Sequence, residues 1–234
     1  MSLRVARGFD PLAALAEEPL GGRASLARSR LRTQALALAR SEALVEAAYS
    51  YCIVALEEPV TEWLCAGAER LHAPWLLPAS GRLTAIACGA CTLGPLLERR
   101  VALLFAERRA SLAVALDQLG NEALMAVGRR AEDRIAADVA RRGLTMAGEL
   151  RAGDPGLALQ AQAAVLRLAQ AETVGVSVNA SHLMLPLKST SMVLGVGVDL
   201  PAAQWSRCDH CPTRDRCAVP ARAASAQAAA GGAG

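Results

Sequence analysis

The stretch from Thr173 to Asp199, TVGVSVNASHLMLPLKSTSMVLGVGVD, limits what this chain can fold into more than any other. Val174, Val176 and Val178 alternate with Gly175, Ser177 and Asn179, the two-residue period of a half-buried strand. After a turn carrying Pro186, Lys188 and Ser189, a second segment places Met192, Leu194, Val196 and Val198 on one face. Its other positions include Gly195 and Gly197, where a ligand or another backbone can come close. Two adjacent strands late in a mostly helical chain predict the floor of a site.

The 234 residues suffice for one large domain with appendages, and a hydrophobic content of 53% argues for a packed core. They are expected to divide into an N-terminal arm (1–24), a main α+β domain (25–205), a Cys-rich segment (206–220) and a disordered low-complexity tail (221–234), with no internal repeat. Aromatic residues make up only 3%, which argues against a stacking platform for single-stranded nucleic acid. A net charge of +3, with Arg interleaved among Glu and Asp, makes no basic stripe, so no nucleic-acid partner is expected. No apolar run approaches the roughly 18 residues of a membrane span, and the N-terminus lacks the apolar core of a secretory signal. A cytoplasmic protein without membrane contact is the expectation, in which seven cysteines mean metal, redox chemistry or burial rather than disulfides.

Ahead of the strand pair the pattern is mainly helical. Leu31, Ala35, Leu38, Leu44, Val45 and Ala48 predict a helix within 25–56, closed by Pro59. Thr61 is placed to cap a short helix. Residues 80–94 read as a strand entering a glycine turn. Helices follow at 95–119 and 122–142, separated by Gly120-Asn121, with Gly143 as C-terminal cap. Residues 145–156, with three glycines and Pro155, read as a loop leading to a helix over 157–171.

In this order the segments resemble the reactivation domain of cobalamin-dependent methionine synthase, in its short stand-alone form. The resemblance rests on Thr92-Leu93-Gly94 with Glu98, on Leu116-Asp117-Gln118-Leu119-Gly120, on the loop around Gly153 followed by Leu157, Leu159 and Gln162, and above all on VGVSVNASHLMLPLKSTSMVLGV. It covers about Thr84 to Cys217. It implies an α+β fold, a curved, mostly antiparallel sheet flanked by helices. It also implies binding of S-adenosylmethionine, whose methyl group is aimed at the cobalt of a corrinoid held by a separate methyltransferase subunit. A flavodoxin- or ferredoxin-type donor would supply the electron that accompanies reductive methylation of cob(II)alamin. Positioning is then the domain's main contribution, and no catalytic side chain is assigned.

The ligand loop departs from the family pattern, an Arg followed after three residues by Gly-Tyr. With the glycine aligned on Gly153, Glu149 stands at the Arg position and Asp154 at the Tyr position, while Arg151 lies two residues late. Either Arg151 takes over the ligand carboxylate from a shifted loop, by charge-assisted hydrogen bonds, or the ligand is weakened or lost. The candidate ligand-binding residues are Arg151, Gly153, Asp154 and Lys188, with Pro186 and Ser189 shaping the floor. Lys188 has two readings, a contact to an anionic ligand group or a strand-end lysine in water.

Cys208, Cys211 and Cys217, spaced C-x2-C-x5-C, form the strongest purely chemical signal. Such a set can hold zinc with a fourth ligand, His210 or His182, or an iron–sulfur cluster with one open iron, or no metal at all. Cys88-Gly-Ala-Cys91 is a second C-x2-C, in apolar surroundings that favour two buried thiols. Cys52 and Cys65 read as packing residues on helices, His72 as a surface loop residue, and Glu57-Glu58 and Glu132-Asp133 as ordinary solvated charge. Two functions remain open. One is a stand-alone reactivation protein that binds S-adenosylmethionine and docks on a corrinoid protein. The other is a zinc or iron–sulfur accessory protein that keeps the fold but has lost the ligand.

Overall fold

Strand β9 (Ser189–Val198) owes its place to the alternation seen in the sequence: Met192, Leu194 and Val196 enter one core and Val193 the other. The structure, a computed structural model, describes residues 2–17 and 26–201. In it β9 lies between β5 (Arg82–Thr92) and β6 (Thr145–Leu150), in a five-stranded sheet ordered β1-β2-β5-β9-β6 with every pair antiparallel. β1 (Ser2–Arg7), expected within an arm, is one edge of this sheet, and β2 (Ala48–Ala55) joins it to β5. The α+β class with an antiparallel sheet is as expected.

Helices cover one face. α1 (Leu12–Glu17), α2 (Leu26–Ser41), α3 (Leu96–Ala106) and the long α4 (Ala110–Ala140) bury Leu97, Leu104, Leu116, Leu119 and Ile135 against Tyr51, Ala87, Cys91 and Met192. The other face carries the β3–β4 hairpin (Trp63–Ala66 and Glu69–His72), the short helix α5 (Gln162–Leu168) and several turns. These surround Cys52, Ile86, Cys88, Leu150 and Val193.

Several expectations are corrected. The second half of the helix predicted within 25–56 is strand β2, which is buried on both faces except at its last residue. Its apolar run therefore shows no alternation and imitates a buried helix. Thr61 caps no helix; its hydroxyl accepts from the Trp63 amide at 3.2 Å at the start of β3. The helix break falls at Arg108, in a left-handed conformation at φ 59°, and not at Gly120, which is buried within α4. Nor is the strand pair of 173–199 a pair of neighbours. Ala171–Val174 is a 3-10 turn, and only Ser177–Val178 (β7) is extended, paired with Met184–Leu185 (β8) in a separate hairpin. Val174 and Val176 are buried as the alternation implies, but under the sheet rather than in it. Gly195 and Gly197 are approached by backbone: a Cβ there would lie 2.8 Å from the Ala147 carbonyl and 2.0 Å from that of Arg82.

No helix among the described residues is long and apolar enough to cross a membrane.

Candidate functional site

The segment expected as a loop at 145–156 begins as the edge strand β6, and one irregularity in it builds the site. Ala147 pairs with Gly195 and Leu150 with Val193, so β6 uses three steps where β9 uses two. This is a β-bulge, made at Gly148, whose φ is 69°. Before the bulge Met146 points to the helical face; after it Leu150 is buried on the opposite face. The extra residue reverses the alternation. Glu149 and Arg151 are thereby delivered to the helical face, under α4.

There the Arg151 guanidinium donates from Nε to Glu149 Oε1 at 2.8 Å and from NH1 to Thr190 Oγ1 at 2.9 Å, and its NH2 lies 3.8 Å from Glu132 Oε1. All three charged side chains are about one quarter exposed, so the cluster opens to solvent. Glu149 does not repel an incoming anion unaided, because it already neutralises Arg151. Burial, against the neighbouring Arg151 charge, pushes the thiol of Cys91 beneath them up to about 12. Arg151 also closes the loop that follows: its amide donates to Asp154 Oδ2 at 3.0 Å, and the Asp154 amide donates back to its carbonyl at 2.9 Å. Gly153, exposed and at φ 98°, lies beside the part-exposed Leu159, and Gly156 is pressed onto Trp75.

The candidate residues thus fall into three neighbourhoods. Arg151, Gly153 and Asp154 stand together at the end of β6. The Lys188 ammonium is 2.7 Å from both Asp117 Oδ1 and Asn121 Oδ1, with only 12% of its side chain exposed. Its anionic neighbour is the protein's own α4, and it is not a lysine in open water. Pro186 lines a cleft of about 460 Å³ together with Arg7, Glu46, Thr92 and Gly175. Ser189 is buried beside that cleft and shares a hydrogen bond with Thr92 at 2.9 Å.

Glu132 and Thr190 were missed. Glu132 reads as solvated charge in isolation, and the signal that could have placed it is the pair Gly120 and Gly128 on the buried side of α4. A Cβ at Gly120 would come 2.9 Å from Leu97 Cδ2 and 3.4 Å from Lys188 Cε, while one at Gly128 would make ordinary contact with Arg151 NH2 at 3.9 Å. Gly120 lets α4 close onto Leu97 of α3, and both glycines mark the side of α4 that faces the two long cations.

Cys208, Cys211, Cys217 and His210 lie outside the described residues. Cys88 and Cys91 are buried, three positions apart on one strand and therefore on opposite faces of the sheet, so they cannot grip one ion together. Cys52 and Cys65 are on strands, not helices. His72 is on strand β4, with its ring 4.9 Å from that of Trp63. Among the described residues no group of three or more His, Cys, Asp or Glu side chains is arranged to hold a metal.

With this architecture in place, the chain is similar to a solved structure of the MetH reactivation domain bound to AdoHcy. The TM-score is 0.63, over 86% of this chain and 80% of that one, at 11% sequence identity. The two share a fold. No protein-family model and no curated protein matches the sequence.

Proposed function

We propose that the chain binds S-adenosylmethionine beside Arg151 and docks on a separate corrinoid-carrying subunit to support its reductive methylation. What supports the ligand half is the charge set at the end of β6, with Arg151 between Glu132 and Glu149. S-adenosylmethionine carries a sulfonium, an ammonium and a carboxylate, one net positive charge. One guanidinium and two carboxylates carry one net negative charge, so the partners are complementary in sum and in parts. Arg151 would take the ligand carboxylate, which suits its planar fork. Glu149, displaced from Nε, and Glu132 would face the ammonium or the ribose hydroxyls. Leu159 beside Gly153 offers an apolar edge next to open backbone. The bound molecule supplies an activated methyl group, and the protein's share is to hold it in one orientation.

Two further points favour the reading. A protein of this fold carries AdoHcy, the demethylated product. And Arg151, two positions late on the aligned sequence, is brought by the bulge under α4, beside Glu132 and Thr190 and open to solvent. The corrinoid subunit and the flavodoxin- or ferredoxin-type donor follow from the same family likeness and are proposed with it.

Calorimetric titration of the full chain with S-adenosylmethionine and, separately, with S-adenosylhomocysteine tests the ligand half. Saturable binding that favours the cationic ligand and disappears in Arg151→Ala is expected. Absence of heat from both ligands, alone and with a cob(II)alamin-loaded corrinoid protein present, would overturn it.

A further inference from the structure

The opposite flank of α4 holds a second charged cluster, over β1 and β2. Its anchor is Asp138, only 3% exposed, whose Oδ2 accepts from the Tyr51 hydroxyl at 2.6 Å. Arg4 Nε lies 3.3 Å from Oδ2, Arg134 Nε lies 3.6 Å from Oδ1, and Arg141 is bonded to Oδ1. One guanidinium balances one buried carboxylate; here three converge on it, each about half exposed. Arg4 and Arg134 approach through Nε, and both line an open groove of about 510 Å³ with Tyr49, Arg130 and Asp133. The Arg130 guanidinium is stacked 4.7 Å above the ring of Phe9, which itself packs against Tyr49.

Three guanidiniums, Arg4, Arg130 and Arg134, line the groove against the one lining carboxylate, Asp133, while Arg141 and Asp138 balance each other beside it, so the concave surface keeps two uncompensated positive charges. Like charges gathered so closely repel one another unless an anion joins them. Asp138 holds two of the arginines from behind, which orients them before any ligand arrives, and the aromatic ring holds a third. A dianion with several acceptor oxygens satisfies both the charge and the hydrogen-bonding capacity of such a set, and the groove has room for more than the anionic group itself.

We propose that this groove binds a small phosphorylated molecule through Arg4, Arg130 and Arg134, on the flank of α4 opposite Arg151. The test is calorimetric titration of the full chain with pyrophosphate and with 5′-AMP, at about 0.15 M salt, where charges more than about 8 Å apart are screened. Saturable binding of either probe is expected, weakened about tenfold or more in Arg130→Gln and in Arg134→Gln and unchanged in Arg151→Ala. Arg130 is exposed and has no contact with Asp138, so its substitution leaves the buried anchor intact and reports on the groove even where Arg134→Gln unfolds. Absence of saturation with both probes, equal affinity in Arg130→Gln and the parent, or binding confined to a polyanion such as heparin would each overturn the proposal.

Discussion

The hydroxyl of Tyr51 on β2 and the carboxylate of Asp138 on α4 meet at 2.6 Å across the sheet–helix interface, and both side chains are almost wholly removed from water. Burial, then the adjacent Asp138 carboxylate, pushes the Tyr51 phenol well above its ordinary range, so it serves as a permanent donor. Tyr51→Phe takes away that donor and leaves a buried carboxylate acceptor short of one partner. A loss of about 1–3 kcal/mol is expected in chemical denaturation, read as a fall in melting temperature of roughly 2–4 °C per kcal/mol for a domain of this size. An unchanged midpoint would mean that water or Arg4 replaces the phenol without cost.

The same carboxylate sets an acid limit. Burial pushes Asp138 up, but the Tyr51 hydrogen bond and the charges of Arg141, Arg134 and Arg4 outweigh it and hold the carboxyl below its ordinary range. A group depressed in the folded state stabilises above its unfolded pKa, about 3.9, and loses that contribution as the pH falls through the folded value. Asp138→Asn is therefore less stable than the parent at neutral pH, and the gap narrows in acid below about pH 4. Denaturation midpoints measured across that range check this; a gap that stays constant into acid contradicts it.

Gly148 decides which face Arg151 reaches. Gly148→Ala puts a side chain at φ 69°, a conformation costing on the order of 1 kcal/mol in a non-glycine residue. Relaxing the bulge would turn Arg151 away from Thr190 and Glu132. Lower affinity for S-adenosylmethionine with a correctly folded far-ultraviolet spectrum is the expected result, measured by the same titration as Arg151→Ala. Parent-like affinity would show that Arg151 does not depend on the bulge.

The cysteines of the sheet should be inert. Burial pushes the Cys88 thiol far up and the Cys91 thiol up to about 12, so neither supplies thiolate at neutral pH. Peptide mapping after brief alkylation of the native protein should find Cys65, on the part-exposed β3–β4 hairpin, modified well before Cys52, Cys88 or Cys91. Rapid labelling of Cys88 or Cys91 would mean that the sheet opens locally.

How much of this is legible depends on whether the two faces of an element carry different kinds of side chain. Residues 122–142 alternate between core and solvent with a helical period, and α4 covers them as far as Ala140. β9 keeps a strand period although both its faces are buried, because the large Met192, Leu194 and Val196 alternate with the small Ser191, Gly195 and Gly197. β2 lost its signature because Tyr51 and Cys52 are both buried, on opposite faces. β6 reads as a loop because Gly148, which has the look of a loop residue, forms a bulge within the strand. Of the candidate site, Arg151, Gly153 and Asp154 were found as neighbours in sequence. Glu132 and Thr190 reach Arg151 only through strand pairing and helix packing, which no local pattern records. Lys188 stood out as a cation, but its partners lie on a helix whose register the apparent break at Gly120 had obscured.

α4 is also a ruler. Asp117 engages Lys188 near one end, and Glu132 overhangs Arg151 about four turns further on, while Arg130 and Arg134 look out over the other flank. One residue inserted between Asp117 and Glu132 would swing everything beyond it by about 100° and slide it by about 1.5 Å. Glu132 would leave Arg151, and the arginine groove would rotate off β1 in the same movement. Point changes on the solvent side of this helix are cheap, but its length between these residues is not free to vary.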